Sequence, residues 1–239
     1  VYLTEGLGDE KAGDGSKNDP YLNIKTALKN VNPGGIIKIL GEFNYWKYEQ
    51  HSTLLPRPLI IDKEVTIEGV DSNSVFMTRA SIQLAADVTF KNLKMEFWGS
   101  NELMPGVPDS GLPGGPVDTG IEFRSGRSIY LAGHTLTLDN IDTSVNSISF
   151  DREYRPYISG GTFLDEGTTG PKAVLNVINS FSGTQFAGIY AGDYWVERDY
   201  PVELNIRGEV LDRTVHTGGI TTPFNGDVVI NLYSKTNVS

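Results

Sequence analysis

Residues 189–232 read IYAGDYWVERDYPVELNIRGEVLDRTVHTGGITTPFNGDVVINL, and this stretch carries the same two marks twice. Each half begins with an apolar residue three positions before a glycine, at Ile189 and again at Val215. An asparagine followed by an apolar residue comes later in each half, at Asn205 and at Asn231, and its distance from the apolar start is the same in both. The two marks therefore repeat with one common period, from 189 to 215 and from 205 to 231. Periods of about 20–50 residues are typical of solenoids, in which each turn of the chain is one repeat.

Looser copies of these marks precede the stretch. An apolar start and a glycine occur at residues 158–161, and Asn176 follows that start at a slightly longer distance. Asn92 and Asn140 each precede an apolar residue, and their separation is close to two periods. A solenoid turn buries its inward side chains only by stacking on the next turn, so the repeat predicts a parallel β-helix rather than a sandwich or barrel. The alternative is that these asparagines only end strands, as in any β protein.

Short apolar segments occupy much of the remaining chain, and each is closed by glycine, asparagine or aspartate, which favour turns. They predict an all-β fold of many short strands. The predicted strands are residues 36–40, 59–61, 65–67, 82–84, 88–93, 129–131, 136–141, 174–177, 202–206 and 228–232.

One helix is predicted near the start of the chain, in AGDGSKNDPYLNIKTALKNVNPGGIIKIL, residues 12–40. Its first residues are turn formers. Apolar residues then recur at spacings of three and four, the period of one helix face; they are Ile24, Ala27, Leu28 and Val31. We expect the helix over residues 21–30, because Pro33, Gly34 and Gly35 end it.

The order of turn, short helix and first strand in residues 13–40 resembles the entry segment of pectate-lyase-like β-helices. The runs IQLAADVTFKNLKMEF (82–97) and IYLAGHTLTLDNIDT (129–143) resemble the pectate-lyase-like adhesive domains of large Gram-positive bacterial surface proteins. They are also similar to regions upstream of the catalytic part in secreted zinc metalloproteases that cleave immunoglobulin A. The resemblance covers most of the chain from Gly13 onward and is more specific for fold than for function.

The resemblance implies a single-stranded right-handed parallel β-helix with a short N-terminal capping helix. Residues 1–239 would form one domain of a longer protein, with the turn and capping helix in residues 1–35 and a loop insertion at 98–120. The helix would cover the open end of the first coil, where bare core would otherwise face water. The implied location is extracellular, secreted or attached to the bacterial cell wall, with a role in virulence.

Charge and composition narrow the choice of partners. The net charge of −10 disfavours nucleic acid and anionic membranes, because both are polyanions. The chain has no cysteine, which excludes disulfides and thiolate metal sites, and it has no apolar run long enough to span a membrane. We therefore expect neither nucleic acid binding nor membrane insertion. The domain is expected to be a monomer within a longer chain.

Polysaccharide chemistry is the main enzymatic alternative on such a fold. A lyase needs a base together with Ca²⁺ or a basic side chain that neutralises the uronate, and a glycosidase needs carboxylates around one bond. The candidate groups are residues 151–155 (DREYR), Asp118 with Glu122 and Arg124, Asp139 with Asp142, and Asp165 with Glu166. None forms a lyase motif, and charged loops and turns explain all of them more simply. We predict no catalytic residue.

Metal sites are not expected either. The histidines are His51, His134 and His216, and they form no HExxH motif. Oxygen ligands in residues 9–19 could hold Ca²⁺, but their spacing does not fit an EF-hand, and turn formation explains them. The sequence predicts no cofactor and no metal.

Aromatic clusters are the strongest indication of a binding surface. Trp46, Trp98, Tyr194 and Trp195 lie between predicted strands, where loops project, and Trp98 begins an insertion, residues 98–120, rich in proline and glycine. Aromatic faces stack on the C–H faces of sugars and are frequent at protein interfaces. The alternative is that these rings fold back and are buried against the coils.

The sequence therefore favours a non-catalytic adhesion module that presents loops to a host or environmental glycan or protein. Two alternatives remain open. The chain could be a polysaccharide lyase or glycoside hydrolase on the same fold, or a structural stalk that spaces the domains of a secreted protease.

Overall fold

The chain is described from a computed structural model. The described residues are 1–4, 13–45, 58–78, 80–97, 128–144, 156–162, 170–181, 183–192, 200–208, 211–212, 215–217 and 224–233. Within them the protein is built from β-strands and one short helix, and each strand pairing is parallel. An all-β parallel fold, as predicted, is confirmed. No helix in the described part of the chain is long and apolar enough to cross a membrane.

The elements follow one another as short strands, and every predicted strand overlaps an observed one. In chain order they are β1 (Tyr2–Thr4), α1 (Ile24–Asn30), β2 (Gly35–Leu40), β3 (Glu42–Asn44), β4 (Leu59–Ile61), β5 (Val65–Gly69), β6 (Val75–Thr78), β7 (Ile82–Leu84), β8 (Val88–Phe97), β9 (Ser128–Tyr130), β10 (Thr135–Asp142), β11 (Tyr157–Ser159), β12 (Ala173–Ser180), β13 (Gln185–Phe186), β14 (Gly188–Tyr190), β15 (Val202–Gly208), β16 (Leu211–Asp212), β17 (Val215–His216) and β18 (Val228–Leu232).

Two sheets contain most of these strands. The large sheet has the order β1-β2-β5-β8-β10-β12-β15-β18, with β3 and β6 paired beside it, and the second sheet has the order β17-β14-β11-β9-β7-β4. A third sheet pairs β13 with β16. From β2 onward, the chain passes through the second sheet between successive strands of the large sheet. Each return to a sheet therefore adds one parallel strand beside the previous one.

Side chains in register form columns that make up the core. In the large sheet one column is Ile37, Ile67, Phe90, Leu138, Val177 and Ile206. In the second sheet the matching column is Leu59, Ile82, Ile129, Ile158 and Ile189. Each of these side chains is at most 1% exposed, and both columns belong to one buried cluster. Because alternate residues of a strand point to opposite faces, the residues next to each column member face away from the core. In the large sheet these residues are half-buried or exposed, whereas in the second sheet Gln83 and Tyr130 are buried as well.

The helix α1 begins three residues later than predicted. Asn23 is its N-cap, and the side-chain Oδ1 accepts hydrogen bonds from the backbone N–H of Lys25 at 2.7 Å and of Thr26 at 3.4 Å. Tyr21 cannot be helical because it pairs in parallel with Leu3 and is buried. The apolar stripe itself is as expected, with Ile24, Ala27 and Leu28 buried.

The asparagine marks separate into two columns rather than one. Asn92 and Asn140 belong to a bend column, which is completed by Asn179, an asparagine that is not one of the marks; φ at the three is 51°, 54° and 50°. Asparagine tolerates this left-handed conformation better than most residues. The Nδ2 of Asn140 donates to the Oδ1 of Asn92 at 2.9 Å, so these two residues are direct neighbours.

The long spacing between Asn92 and Asn140 suggests two coils when the sequence is taken alone, and that interpretation is wrong. Strand β10 pairs directly with β8, with Leu136 opposite Val88. The chain therefore returns to the large sheet only once between Asn92 and Asn140. The sequence separation of these two residues is long because it includes residues 98–127, which lie outside the described part.

The other asparagines form a ladder column on the outer face of the large sheet. Asn176, Asn205 and Asn231 are partners in register. The Nδ2 of Asn231 donates to the Oδ1 of Asn205 at 2.8 Å, and the Nδ2 of Asn205 donates to the Oδ1 of Asn176 at 3.0 Å. The period seen in the sequence is the spacing between the strands β15 and β18.

Candidate functional site

An aromatic row crosses the outer face of the second sheet. Its members are Tyr157 on β11, Tyr190 on β14 and His216 on β17. Ile158 and Ile189 are their buried neighbours on β11 and β14, so strand alternation directs the ring-bearing residues outward. Tyr157 and Tyr190 are half-buried and His216 is exposed, so the row borders solvent.

The rings of the aromatic row lie close together. Tyr190 and His216 are register partners, and their rings are stacked with centroids 4.5 Å apart and planes 3° apart. The ring centroids of Tyr157 and Tyr190 are 6.2 Å apart, with the planes tilted by 37°. Neighbouring strands lie about 4.8 Å apart, so the stack of Tyr190 and His216 follows the spacing of the sheet.

Gly188 allows the Tyr190 ring to reach Tyr157. Gly188 is the register partner of Tyr157 and lies two residues before Tyr190 on the same strand. A Cβ atom at Gly188 would lie 2.9 Å from Cε2 and 3.2 Å from Oη of Tyr190. The ring of Tyr190 therefore lies over Gly188 and contacts the ring of Tyr157. This contact extends the stack of Tyr190 and His216 to a third strand, β11.

Backbone hydrogen bonds fix the strands beneath the row. The N–H of Gly160 donates to the carbonyl of Tyr190 at 2.8 Å, and the N–H of Ala191 donates to the carbonyl of His216 at 2.9 Å. The hydroxyl of Tyr200, just before β15, donates to the carbonyl of Gly160, just after β11, and this hydrogen bond holds the two segments together. The rings thus stand on paired strands rather than on a free loop, and little ordering would be needed before a ligand binds.

The chemistry available at the row is stacking combined with hydrogen bonding. Tyrosine presents an apolar ring face and a hydroxyl that both donates and accepts, and imidazole has a nitrogen that accepts when neutral. Because Tyr190 and His216 stack on each other, their facing ring surfaces are covered, and a sugar would contact the ring edges and the polar atoms of the row.

The residues predicted from the sequence to bind ligand are not placed by the structure. Trp46, Trp98, Tyr194 and Trp195 all lie outside the described residues, as does the insertion 98–120. Tyr194 and Trp195 follow Tyr190 by four and five positions in the sequence.

Tyr157, Tyr190 and His216 are not predicted as site residues from the sequence, although a signal is present. Tyr190 and His216 occupy the same place in the repeated mark, directly after Ile189 and Val215. Equal places in a repeat become register partners when the repeats stack.

The carboxylates Asp139 and Asp142 are both engaged in structural contacts. Asp139 Oδ1 accepts from the Nδ2 of Asn179 at 2.7 Å, and Lys91 Nζ lies 3.5 Å from its other oxygen. Asp142 accepts from the backbone N–H and from the hydroxyl of Ser144. These contacts stabilise the bend column and the end of β10. The remaining catalytic candidates, residues 151–155, Asp118, Glu122, Arg124, Asp165 and Glu166, lie outside the described residues.

Residues 13–19 of the oxygen-rich N-terminal segment form hydrogen bonds within their own turn, and residues 9–12 lie outside the described residues. Asp14 Oδ1 accepts from the N–H of Ser16 at 2.8 Å, and Asp19 Oδ2 accepts from the N–H of Asp14 at 3.3 Å. The hydrogen bonds from Ser16 hold the pKa of Asp14 below its ordinary value. Within the described ranges, no group of three or more histidine, aspartate or glutamate side chains is arranged to hold a metal ion.

A shallow groove of about 450 Å³ lies on the large sheet beside the bend column. Its polar lining includes Lys38, Glu68, Asp71, Asn92 and Asn140. In register, Lys38, Glu68, Lys91 and Asp139 form a row of alternating charge. Opposite charges on neighbouring strands stabilise a sheet, so a structural role explains this lining.

Comparison of the chain with protein-family models, with curated proteins and with solved structures finds no match.

Proposed function

We propose that the chain is a right-handed parallel β-helix that acts as a non-catalytic glycan-binding module, with the aromatic row Tyr157–Tyr190–His216 as part of its binding face. The observation that carries this proposal is the stack of Tyr190 on His216, with ring planes 3° apart on a solvent-facing sheet.

The strand arrangement supports the solenoid part of the proposal. The chain alternates between two parallel sheets, and both sheets contribute to one buried cluster. Crossovers between parallel strands of one sheet are right-handed in about 98% of cases, which favours the right-handed form. The helix α1, with its buried stripe, would then cap the first coil. A pectate-lyase-like adhesive domain would have this architecture.

Charge and ring geometry together suggest the class of glycan. The net charge of −10 repels uronate and sulfate groups, so a neutral or amino-sugar chain is the better ligand. The row places three rings on neighbouring strands, with centroids 6.2 and 4.5 Å apart, so its edge would contact successive sugars of a chain rather than a single monosaccharide. A bacterial surface location, secreted or attached to the cell wall, fits this role, and the ligand would be a host or environmental glycan.

The experiment is a glycan array followed by calorimetric titration of the best neutral ligand. Tyr190→Ala should weaken binding by about 30-fold, the equivalent of the roughly 2 kcal/mol typical of an aromatic hot spot. Tyr233→Ala is the matched control, because Tyr233 is an exposed tyrosine outside the row. Equal loss in both variants, or no glycan bound at all, would contradict the proposal.

The same preparations address the enzymatic and stalk alternatives. We expect no unsaturated uronate product from pectate, hyaluronan or chondroitin, measured as new ultraviolet absorbance. Sustained turnover would favour a lyase. A chain that neither binds glycan nor turns it over would favour the stalk.

A further inference from the structure

The groove on the large sheet has walls that are fixed by the fold. It lies beside the turn that follows β5. In this turn the buried hydroxyl of Ser74 donates to the carbonyl of Ile39 at 2.9 Å and accepts from the N–H of Val70 at 2.9 Å. A Cβ atom at Gly69 would lie 2.2 Å from the backbone oxygen of Asn92, so the glycine lets the turn pack directly against β8. The groove therefore exists before any ligand binds.

Three charged side chains in this groove have no charged partner. Lys38, Glu68 and Asp71 line it, and among the residues that the structure describes none of the three forms an ion pair. Further along the same row, by contrast, Lys91 Nζ lies 3.5 Å from Asp139. The alternation of charge stabilises the sheet as a whole, yet in the groove it leaves the charged groups available to a ligand. Two carboxylates against one ammonium give the groove an excess of negative charge.

Two asparagine side chains of the bend column add neutral hydrogen-bonding groups. The Nδ2 of Asn140 donates to the Oδ1 of Asn92, and within the described ranges this is the only hydrogen bond of either side chain. The N–H groups of the Asn92 amide and the carbonyl oxygen of the Asn140 amide are therefore left to bind a ligand. Val70 is 41% exposed and adds an apolar surface to the same lining.

We propose that this groove binds an amino sugar with a free, protonated amine. The ammonium group lies against the carboxylates of Glu68 and Asp71, the hydroxyl groups bond to the amides of Asn92 and Asn140, and an apolar C–H face rests on Val70. The groove volume of about 450 Å³ falls within the roughly 300–1,000 Å³ of typical small-molecule sites. The aromatic row lies on the other sheet, so this site goes beyond the proposed function and does not depend on it.

The mixture of groups in the groove selects this ligand class over its neighbours. A neutral sugar would leave both carboxylates without a cation, and a uronate would be repelled by them. A simple polyamine would satisfy the carboxylates, but it has no oxygen atom to accept hydrogen bonds from the Lys38 ammonium and the Asn92 amide. A ligand that carries both an ammonium group and several hydroxyl groups pairs with the whole lining.

The test is an NMR titration of the full chain with the β-1,4-linked disaccharide of glucosamine, at a mildly acidic pH at which its amines are protonated. The side-chain amide signals of Asn92 and Asn140 report binding in the groove itself. The matched ligand is the N,N′-diacetyl form, which has the same rings and no charge. The test variant combines Glu68→Gln with Asp71→Asn, and the new amide at 71 can still accept from the N–H of Asn73.

The matched control for the variant is Asp227→Asn, which removes one exposed carboxylate just before β18. We expect the free-amine disaccharide to shift both asparagine signals, with a Kd at least about tenfold lower than that of the diacetyl form, because its hydrogen bonds are charge-assisted. The double variant should raise this Kd by about tenfold, and Asp227→Asn should change it by less than about twofold. Circular dichroism should show the same spectrum for all three proteins.

The proposal is overturned if neither asparagine signal moves in a saturable way, or if the two disaccharides have equal Kd at these signals. An equal increase of Kd in the double variant and in Asp227→Asn would also overturn it, because the attraction would then be due to net charge. Shifts confined to Tyr157, Tyr190 and His216 would place the ligand at the aromatic row. That result would overturn this inference and leave the proposed function standing.

Discussion

Leu138→Ala tests the register of the strands at the centre of the large sheet. Leu138 is 1% exposed and is in register with Phe90 on one side and Val177 on the other. Removing its side chain leaves a cavity bounded by neighbours that are held by their own strands. We expect the free energy of unfolding to fall by about 3 kcal/mol, within the range for buried leucines. For a chain of this length that corresponds to a decrease in Tm of about 6–12 °C.

Thr137→Ala provides the matched control one residue away. Thr137 points to the opposite face of β10 and is half-buried, and its hydroxyl accepts only a long hydrogen bond from the Nδ2 of Asn176 at 3.4 Å, so its truncation should cost about 1 kcal/mol or less. Chemical denaturation followed by circular dichroism gives both values. A shift of register by one residue would exchange the two faces, so a larger loss for Thr137→Ala than for Leu138→Ala would refute the assignment.

Three further predictions follow from local contacts. Asn140→Gly should be tolerated, whereas Asn140→Ala should cost about 1 kcal/mol, because φ is 54° there; thermal melts of the two variants compare them. Hydrogen bonds from Lys172 and Asn205 lower the pKa of Glu203 from its ordinary value of 4.5, so this carboxylate should contribute stability above that pH and lose it as pH falls through the lowered value. Lys172→Met should therefore weaken the dependence of Tm on pH in that acid range, and an unchanged acid dependence would argue against the contact. Leu28→Asp should cost roughly 3 kcal/mol or more of stability, because a charge would enter the buried stripe of α1, and an unchanged Tm would exclude a capping role for the helix.

The sequence predicted the strands and the parallel stack well because both depend on local patterns. Alternating apolar residues identify a buried strand, and a repeat without insertions identifies neighbouring strands, as for Asn205 and Asn231. The prediction failed where a turn of chain is long. A spacing such as that between Asn92 and Asn140 can mean two repeats or one repeat with an insertion, and only the pairing of Val88 with Leu136 distinguishes them.

The aromatic row was harder to predict because it depends on contacts between strands that are distant in sequence. A tryptophan in a loop can be proposed as a binding residue from its own position in the sequence. Tyr190 and His216 form a site only because their strands pair in register. Tyr157 joins them because Gly188 lacks a side chain at the place where the Tyr190 ring lies. No local pattern shows that a glycine on one strand makes room for a contact with the next.

The most direct test of the proposed function is the affinity of Gly188→Ala for the neutral glycan selected on the array. This variant keeps all three rings and the net charge, but its Cβ would approach the Tyr190 ring to 2.9 Å and displace it from the row. We predict a loss of affinity of about tenfold, or about 1.4 kcal/mol, with the native circular dichroism spectrum retained. Affinity equal to that of the unmodified chain would show that the alignment of Tyr157, Tyr190 and His216 does not determine binding.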